Sequence, residues 1–236
     1  VSVSVACAAA GVIIGCVFVS GIGLKFTNVI VSLADGNLWI ALFLTMGASL
    51  ILGMGLTTTA VYITLAALVI PALIKMGVVP IAAHLFAFYF GLVSAITPPV
   101  ALASFAAAGI AESEPMQTGW CSLRLGIAKY ILPFVFVFTP GLLFVGNWNQ
   151  IVLAIVGGFA GIYALTATTE GWILYKIAWP LRILLGLCAF LFFTPGLDVS
   201  ISGFAFQMPH WLTQLAAWCI LGIVYFTHKS RQQESP

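Results

Sequence analysis

Charge is what this sequence has least of. Only 8 Lys/Arg and 6 Asp/Glu stand among 236 residues, or 6%, against about 25% in an average soluble domain. With 62% hydrophobic residues and a mean hydropathy of +1.18, that scarcity excludes an ordinary soluble globular protein. The formal net charge of +2 forms no basic patch, which argues against a nucleic-acid partner. No G-x-x-x-x-G-K-[ST] phosphate loop occurs, so no ATP-driven mechanism is supported. The period-2 alternation of a membrane β-barrel is absent as well. Cysteine is sparse: Cys7, Cys16, Cys121, Cys188 and Cys219 lie in or beside apolar runs without C-x-x-C or Cys/His spacing. They read as small core residues, and no cofactor or resident metal is expected. A membrane-embedded enzyme needs a paired acid, a Ser/His dyad or a metal set at depth. Here the charges sit at segment ends, so the chain is read as not an enzyme.

What is present is long apolar runs. At about 20 residues per crossing, the chain has room for roughly six to eight. The expected class is an all-α polytopic membrane protein whose backbone bonds close within helices. Val1 to Ser20 reads as the first crossing, with no methionine or charged leader ahead of it, as in an internal or C-terminal piece of a longer chain. Thr27 to Asn37 reads as a polar loop or interfacial turn. Leu38 to Leu52 and Ala60 to Ile74 flank a Gly/Thr tip, each slightly short of the ~30 Å hydrocarbon core, which suggests a re-entrant hairpin. Pro80 to Ala111 reads as one discontinuous crossing. Leu123 to Val145, Ile151 to Thr166, Trp179 to Phe193 and Trp211 to Thr227 follow, with tryptophans near their ends as in an aromatic belt.

Two interruptions carry the functional argument. The first is Gly53-Met54-Gly55-Leu56-Thr57-Thr58-Thr59. The second is Ser94-Ala95-Ile96-Thr97-Pro98-Pro99, where two residues without amide hydrogens must break the helix. Non-helical backbone at membrane depth is tolerated where it is buried in protein or lines a cavity. Freed carbonyls and the hydroxyls of Thr57, Thr58, Thr59, Ser94 and Thr97 suit a hard cation, and half-helix N-termini suit an anion. Packing glycines and a simple proline kink are the plainer reading of either break alone.

Among ionisable residues, His84 is the candidate proton carrier, set against a hydrogen-bonded histidine at a helix end. Glu170 is placed in a loop by Thr168, Thr169 and Gly171. Arg124 and Lys129, at the start of a crossing, are expected to snorkel to headgroups. Counting cations on each side sets Lys25 and Lys75 against Arg124, Lys129, Lys176, Arg182, Lys229 and Arg231, which puts the C-terminus in the cytoplasm. If Pro80 to Ala111 is itself re-entrant, all eight cations fall on one side, a cleaner split by charge alone, so charge counting does not decide between the two topologies.

The runs Gly53 to Ala60, Ala83-His84-Leu85-Phe86-Ala87-Phe88-Tyr89-Phe90, Ser94 to Ala101 and Ala107-Ala108-Gly109-Ile110-Ala111 together resemble the large permease subunit of tripartite ATP-independent periplasmic (TRAP) transporters. The likeness is to the DctM-like C-terminal half of fused permeases that work with TAXI-type binding proteins. It implies one inverted repeat of an elevator-type carrier over residues 1–145, related to the ion transporter superfamily, with a re-entrant hairpin and a discontinuous helix. Extra C-terminal transmembrane helices would span 146–228 and a polar tail 229–236. By resemblance, Gly53, Gly55, Thr57, Thr58, Thr59, Ser94, Thr97, Pro98 and Pro99 mark the ion and substrate region.

The implied function is secondary, Na⁺-coupled transport of a small organic anion across a bacterial or archaeal inner membrane. Its implied partners are a periplasmic TAXI-type solute-binding protein, the first repeat, and a small membrane subunit or its fused equivalent. The rival readings are a proton-coupled carrier and a non-catalytic membrane assembly subunit.

Overall fold

The structure, a computed structural model of the chain, describes residues 8, 11–12, 15–17, 19–173, 177–194, 196–201 and 204–233, the backbone alone for 196–211 and 225–233. It divides into two compact units, Val1–Val137 and Phe138–Pro236, ahead of the 145/146 division read from the sequence.

In the first unit, the described residues before Gly21 are helical, and Gly21, at φ 64°, turns the chain into α1, Ile22–Ala34. This corrects the loop expected from Thr27 to Asn37. Apolar positions outnumber the polar ones here, Thr27 is buried, and Asn28 takes a hydrogen bond from Lys75. Only Asp35 and Gly36, at φ 46° and 76°, form the turn. Asn37 then caps α2, Leu38–Gly53, its Oδ1 accepting from the amides of Trp39 (2.9 Å) and Ile40 (3.4 Å).

After the turn at Met54 to Thr57 comes α3, Thr58–Leu68. It stops at Val69, and α4, Ile70–Lys75, begins with Pro71 in its first turn. The second limb is therefore two pieces rather than the one run expected from Ala60 to Ile74, because Pro71 has no amide hydrogen to continue the ladder. Pro80 opens α5, Pro80–Val93. A 3₁₀ turn, Ser94–Ile96, and Ala101 at φ 34° separate it from α6, Leu102–Ile110. The discontinuity expected over Ser94 to Pro99 is present.

Glu114 caps the next helix through Met116 (3.1 Å) and Gln117 (2.7 Å), with Pro115 in the first turn. α7, Pro115–Leu125, and α8, Ile127–Phe138, together make one apolar span, Pro115–Phe138. The expected start at Leu123 is thus too late, and Arg124 and Lys129 fall mid-span rather than at its head. The core of this unit is aromatic: Phe86 and Phe90 are fully buried, their rings 4.9 Å apart, and each packs edge-on to Phe134.

In the second unit a 3₁₀ turn, Pro140–Leu143, leads to α9, Trp148–Glu170, whose N-terminus is held by Gln150 Oε1 accepting from the Asn147 amide at 3.2 Å. α10 is Trp179–Phe193, as expected. Glu170 is the last residue of α9 and not a loop residue: Gly171, at φ 69°, terminates the helix one position later. An antiparallel hairpin, β1 (Gly196–Ile201) and β2 (Phe204–Pro209), precedes α11, His210–Gln233. Nothing in the hydropathy pattern announced the hairpin. Lys176 lies outside the described residues, as does most of the first expected crossing. Among the described residues, Pro115–Phe138 and Trp148–Glu170 are long and apolar enough to cross a membrane, by length and composition.

Candidate functional site

Glycine brings the two interruptions together. A β-carbon on Gly53, the last residue of α2, would lie 2.5 Å from the Gly91 carbonyl oxygen, 2.9 Å from Gly91 Cα and 2.8 Å from Ser94 Oγ. On Gly91 it would strike Val61 Cγ1 and come within 2.8 Å of Leu65 Cδ1. The hairpin turn therefore rests backbone to backbone on the end of α5. Beside this contact opens a small cleft of about 40 Å³, lined by Gly53, Gly55, Thr58, Gly91, Ser94 and Leu102 among others.

Four helix ends meet there. Gly53 closes α2 and Gly91 lies in the last turn of α5, so two C-terminal ends bring carbonyls. Thr58 opens α3 and Leu102 opens α6, and neither N-terminus has a side-chain cap. A helix end is equivalent to about half an elementary charge, positive at the N-terminus and negative at the C-terminus. The cleft thus has poles of both signs without an ionised side chain among its lining residues.

Of the residues singled out from the sequence, Gly53, Gly55, Thr58 and Ser94 line this cleft. Ser94 is buried and donates to the Gly91 carbonyl at 2.6 Å, which holds the 3₁₀ turn against α5. Gly55, at φ 78°, makes the turn possible. Thr57 and Thr59 are exposed and do not line it.

Thr97 is engaged elsewhere. Its hydroxyl donates to the Val93 carbonyl (2.6 Å) and accepts from the Tyr130 hydroxyl (2.6 Å), tying the break to α8. Pro98 and Pro99, joined by a cis peptide bond, form the following turn. His84 Nδ1 pairs with the Tyr62 hydroxyl at 2.9 Å, linking α5 to α3 one turn beyond Thr58. Among the described residues no three His, Cys, Asp or Glu gather as a metal-binding group.

Sequence reasoning missed Gly91 and Tyr130. Gly91 sits inside an apolar run, where one glycine gives no signal. It also missed Thr45 and Ser49, buried hydroxyls without a hydrogen-bond partner, on the same face of α2 as Gly53. Their spacing of four was the available clue.

The chain matches the family model described as tripartite ATP-independent periplasmic transporter, DctM component, over residues 1–151. It belongs to that family. No curated protein and no solved structure matches it. The cleft lies wholly inside the region matched to DctM, and α10 and α11 lie outside it. DctM membership makes this chain a multi-pass inner-membrane permease component of a TRAP transporter, in a transport family rather than an enzyme family.

Proposed function

We propose that this chain forms the ion and substrate half-site of a Na⁺-coupled carrier for a small carboxylate, loaded by a periplasmic solute-binding protein of the TAXI type. The observation that carries the reading is the meeting of four helix ends in one cleft. A dehydrated Na⁺ takes neutral carbonyl and hydroxyl oxygens, which the α2 and α5 ends and Ser94 offer. A carboxylate takes the amides at the starts of α3 and α6. Cation and anion would each stabilise the other's binding across so short a distance, which is the physical basis of obligatory coupling. The hairpin and the broken helix form the moving element, re-entrant from one face, as in an elevator-type repeat. Gly55, Thr57, Thr58, Thr59 and the Thr97-Pro98-Pro99 turn shape its tip, and a small membrane subunit or its fused equivalent completes the assembly.

The test is uptake of a radiolabelled organic acid into proteoliposomes holding the complete permease and its binding protein. Uptake driven by an inward Na⁺ gradient, with an apparent Na⁺ affinity lowered at least ~tenfold by Ser94→Ala, is the expected result. Uptake driven by a pH gradient in sodium-free buffer and lost in His84→Gln would replace Na⁺ with protons. Undiminished uptake in both Ser94→Ala and Thr58→Val would leave this region a packing element only.

A further inference from the structure

Between α10 and α11 the chain forms the hairpin of β1 and β2, and its register sorts the residues by polarity. Leu197 pairs with Met208, Val199 with Phe206 and Ile201 with Phe204. Residues alternate between faces along a strand, and directly paired residues share a face, so these six apolar residues lie on one face of the ribbon. The opposite face carries Gly196, Asp198, Ser200, Ala205, Gln207 and Pro209. A window as long as a membrane crossing averages this alternation away, and the strand pairing brings it out.

A two-stranded ribbon of this kind is marginal in water on its own, because its apolar face needs cover. The bilayer interior suits it no better. Among the described residues no third strand joins it, and lipid tails cannot bond the amides and carbonyls along its outer edges. The boundary between headgroups and acyl chains meets both demands, with tails on one face and water at the edges and on the other face.

The flanking helices put the hairpin at that boundary. α10 ends at Phe193, with Thr194 and Pro195 before β1, and β2 runs directly into α11. Ile183, Leu187 and Phe190 are exposed at helical spacing along α10, as on a face turned to lipid. α10 has 15 residues, about 22 Å of helix, which leaves about 8 Å of the hydrocarbon core uncovered. The apolar stretch described on α11, Leu212–Val224, is shorter still. An amphipathic element seated in the interface sinks about 5–10 Å, the depth that these helices leave open. From Thr194 to Pro209 the sole charged residue is Asp198, so attraction to anionic headgroups contributes nothing.

We propose that the β1–β2 hairpin is a bilayer-surface anchor. The face bearing Val199 and Phe206 rests on acyl chains, the face bearing Ser200 and Gln207 meets water, and the contact fixes the depth of α10 and α11. The hairpin lies outside the region matched to DctM. Its anchoring rests on the membrane placement of the family and not on the transported substrate, so loss of transport would leave it standing.

Spin labels on the complete permease in phosphatidylcholine liposomes test it. Cys7, Cys16, Cys121 and Cys219 are replaced by serine, the buried Cys188 is kept, and single cysteines are placed at 197–200 and 204–207. Electron paramagnetic resonance then compares collision with oxygen, which concentrates among acyl chains, and with a water-soluble nickel chelate. The oxygen-to-nickel ratio should be at least about threefold higher at Val199→Cys and Phe206→Cys than at Ser200→Cys and Gln207→Cys, alternating along both strands. Adding phosphatidylglycerol should leave the alternation unchanged. Where Phe206→Cys does not fold, Leu197→Cys carries the same comparison. Low collision with both reagents and an immobilised label at Val199→Cys would assign the face to a protein partner. Equal ratios on the two faces would leave no anchored sheet, and an alternation that needs phosphatidylglycerol would make the contact electrostatic. Each of these three results overturns the proposal.

Discussion

The two units solve the same problem, burying a peptide backbone among apolar side chains, in opposite ways. The second unit closes the end of α9 and its interhelical contacts with side chains. Arg182 donates from Nε and Nη2 to the Thr168 carbonyl (3.0 and 2.8 Å) and from Nη2 to that of Thr169 (2.9 Å), satisfying the end of α9. Gln214 on α11 donates to the Leu153 carbonyl of α9 at 3.0 Å, and Cys188 Sγ on α10 donates to the Ala217 carbonyl of α11. The first unit is cut into shorter pieces and brings the N-termini of α3 and α6 uncapped into one cleft. Satisfied backbone holds a scaffold together, whereas uncapped helix ends in a cleft are available to a ligand.

That contrast predicts where substitutions act. The largest effect should come from Gly53→Ala. Its methyl group meets main-chain atoms of Gly91, which cannot rotate away. Overpacking of this kind costs about 1–3 kcal/mol, and reconstituted uptake should fall by more than about tenfold even where the protein remains folded. A variant that transports normally would break the backbone-to-backbone account of the site.

Next is Arg182→Gln, which removes charge-assisted bonds at the end of α9. Thermal unfolding followed by circular dichroism should show a loss of about 1.5–3 kcal/mol, with the Na⁺ dependence of uptake unchanged. Gln214→Leu should cost less, about 1 kcal/mol, in line with interhelical hydrogen bonds measured in membranes, and again leave apparent substrate affinity alone. A shift in Na⁺ affinity in either variant would blur the division between scaffold and site. The smallest effect belongs to Tyr130→Phe, which deprives Thr97 of a donor but leaves its bond to the Val93 carbonyl. A stability change under about 1 kcal/mol is expected, with at most a modest change in uptake rate.

Much of this molecule was legible because its strongest signals are local. Pro98-Pro99 breaks a helix whatever surrounds it, and α10 begins at Trp179 and ends at Phe193 as hydropathy implied. The errors have physical reasons. Thr27 and Asn28 look like loop residues, yet one is buried and the other is bonded by a lysine from α4. Glu170 stays helical because Arg182 caps carbonyls that the local sequence leaves open. Thr97 looked equivalent to Ser94, but its hydroxyl is taken up by Tyr130 of α8. Averaged over the length of a crossing, hydropathy held no trace of the β1–β2 hairpin.

By itself the sequence determined that this chain belongs in a bilayer and that a helix must break at Pro98-Pro99, since hydrophobicity and the missing amide hydrogens of two successive prolines act through neighbouring residues. Only tertiary structure decided which stops face one another. The approach of Gly53 to Gly91, the placing of Thr58 and Leu102 on one cleft and the burial of Thr27 are set by interhelical distances of a few ångströms. Such distances depend on side-chain volumes from several helices at once, and no stretch of sequence carries them alone.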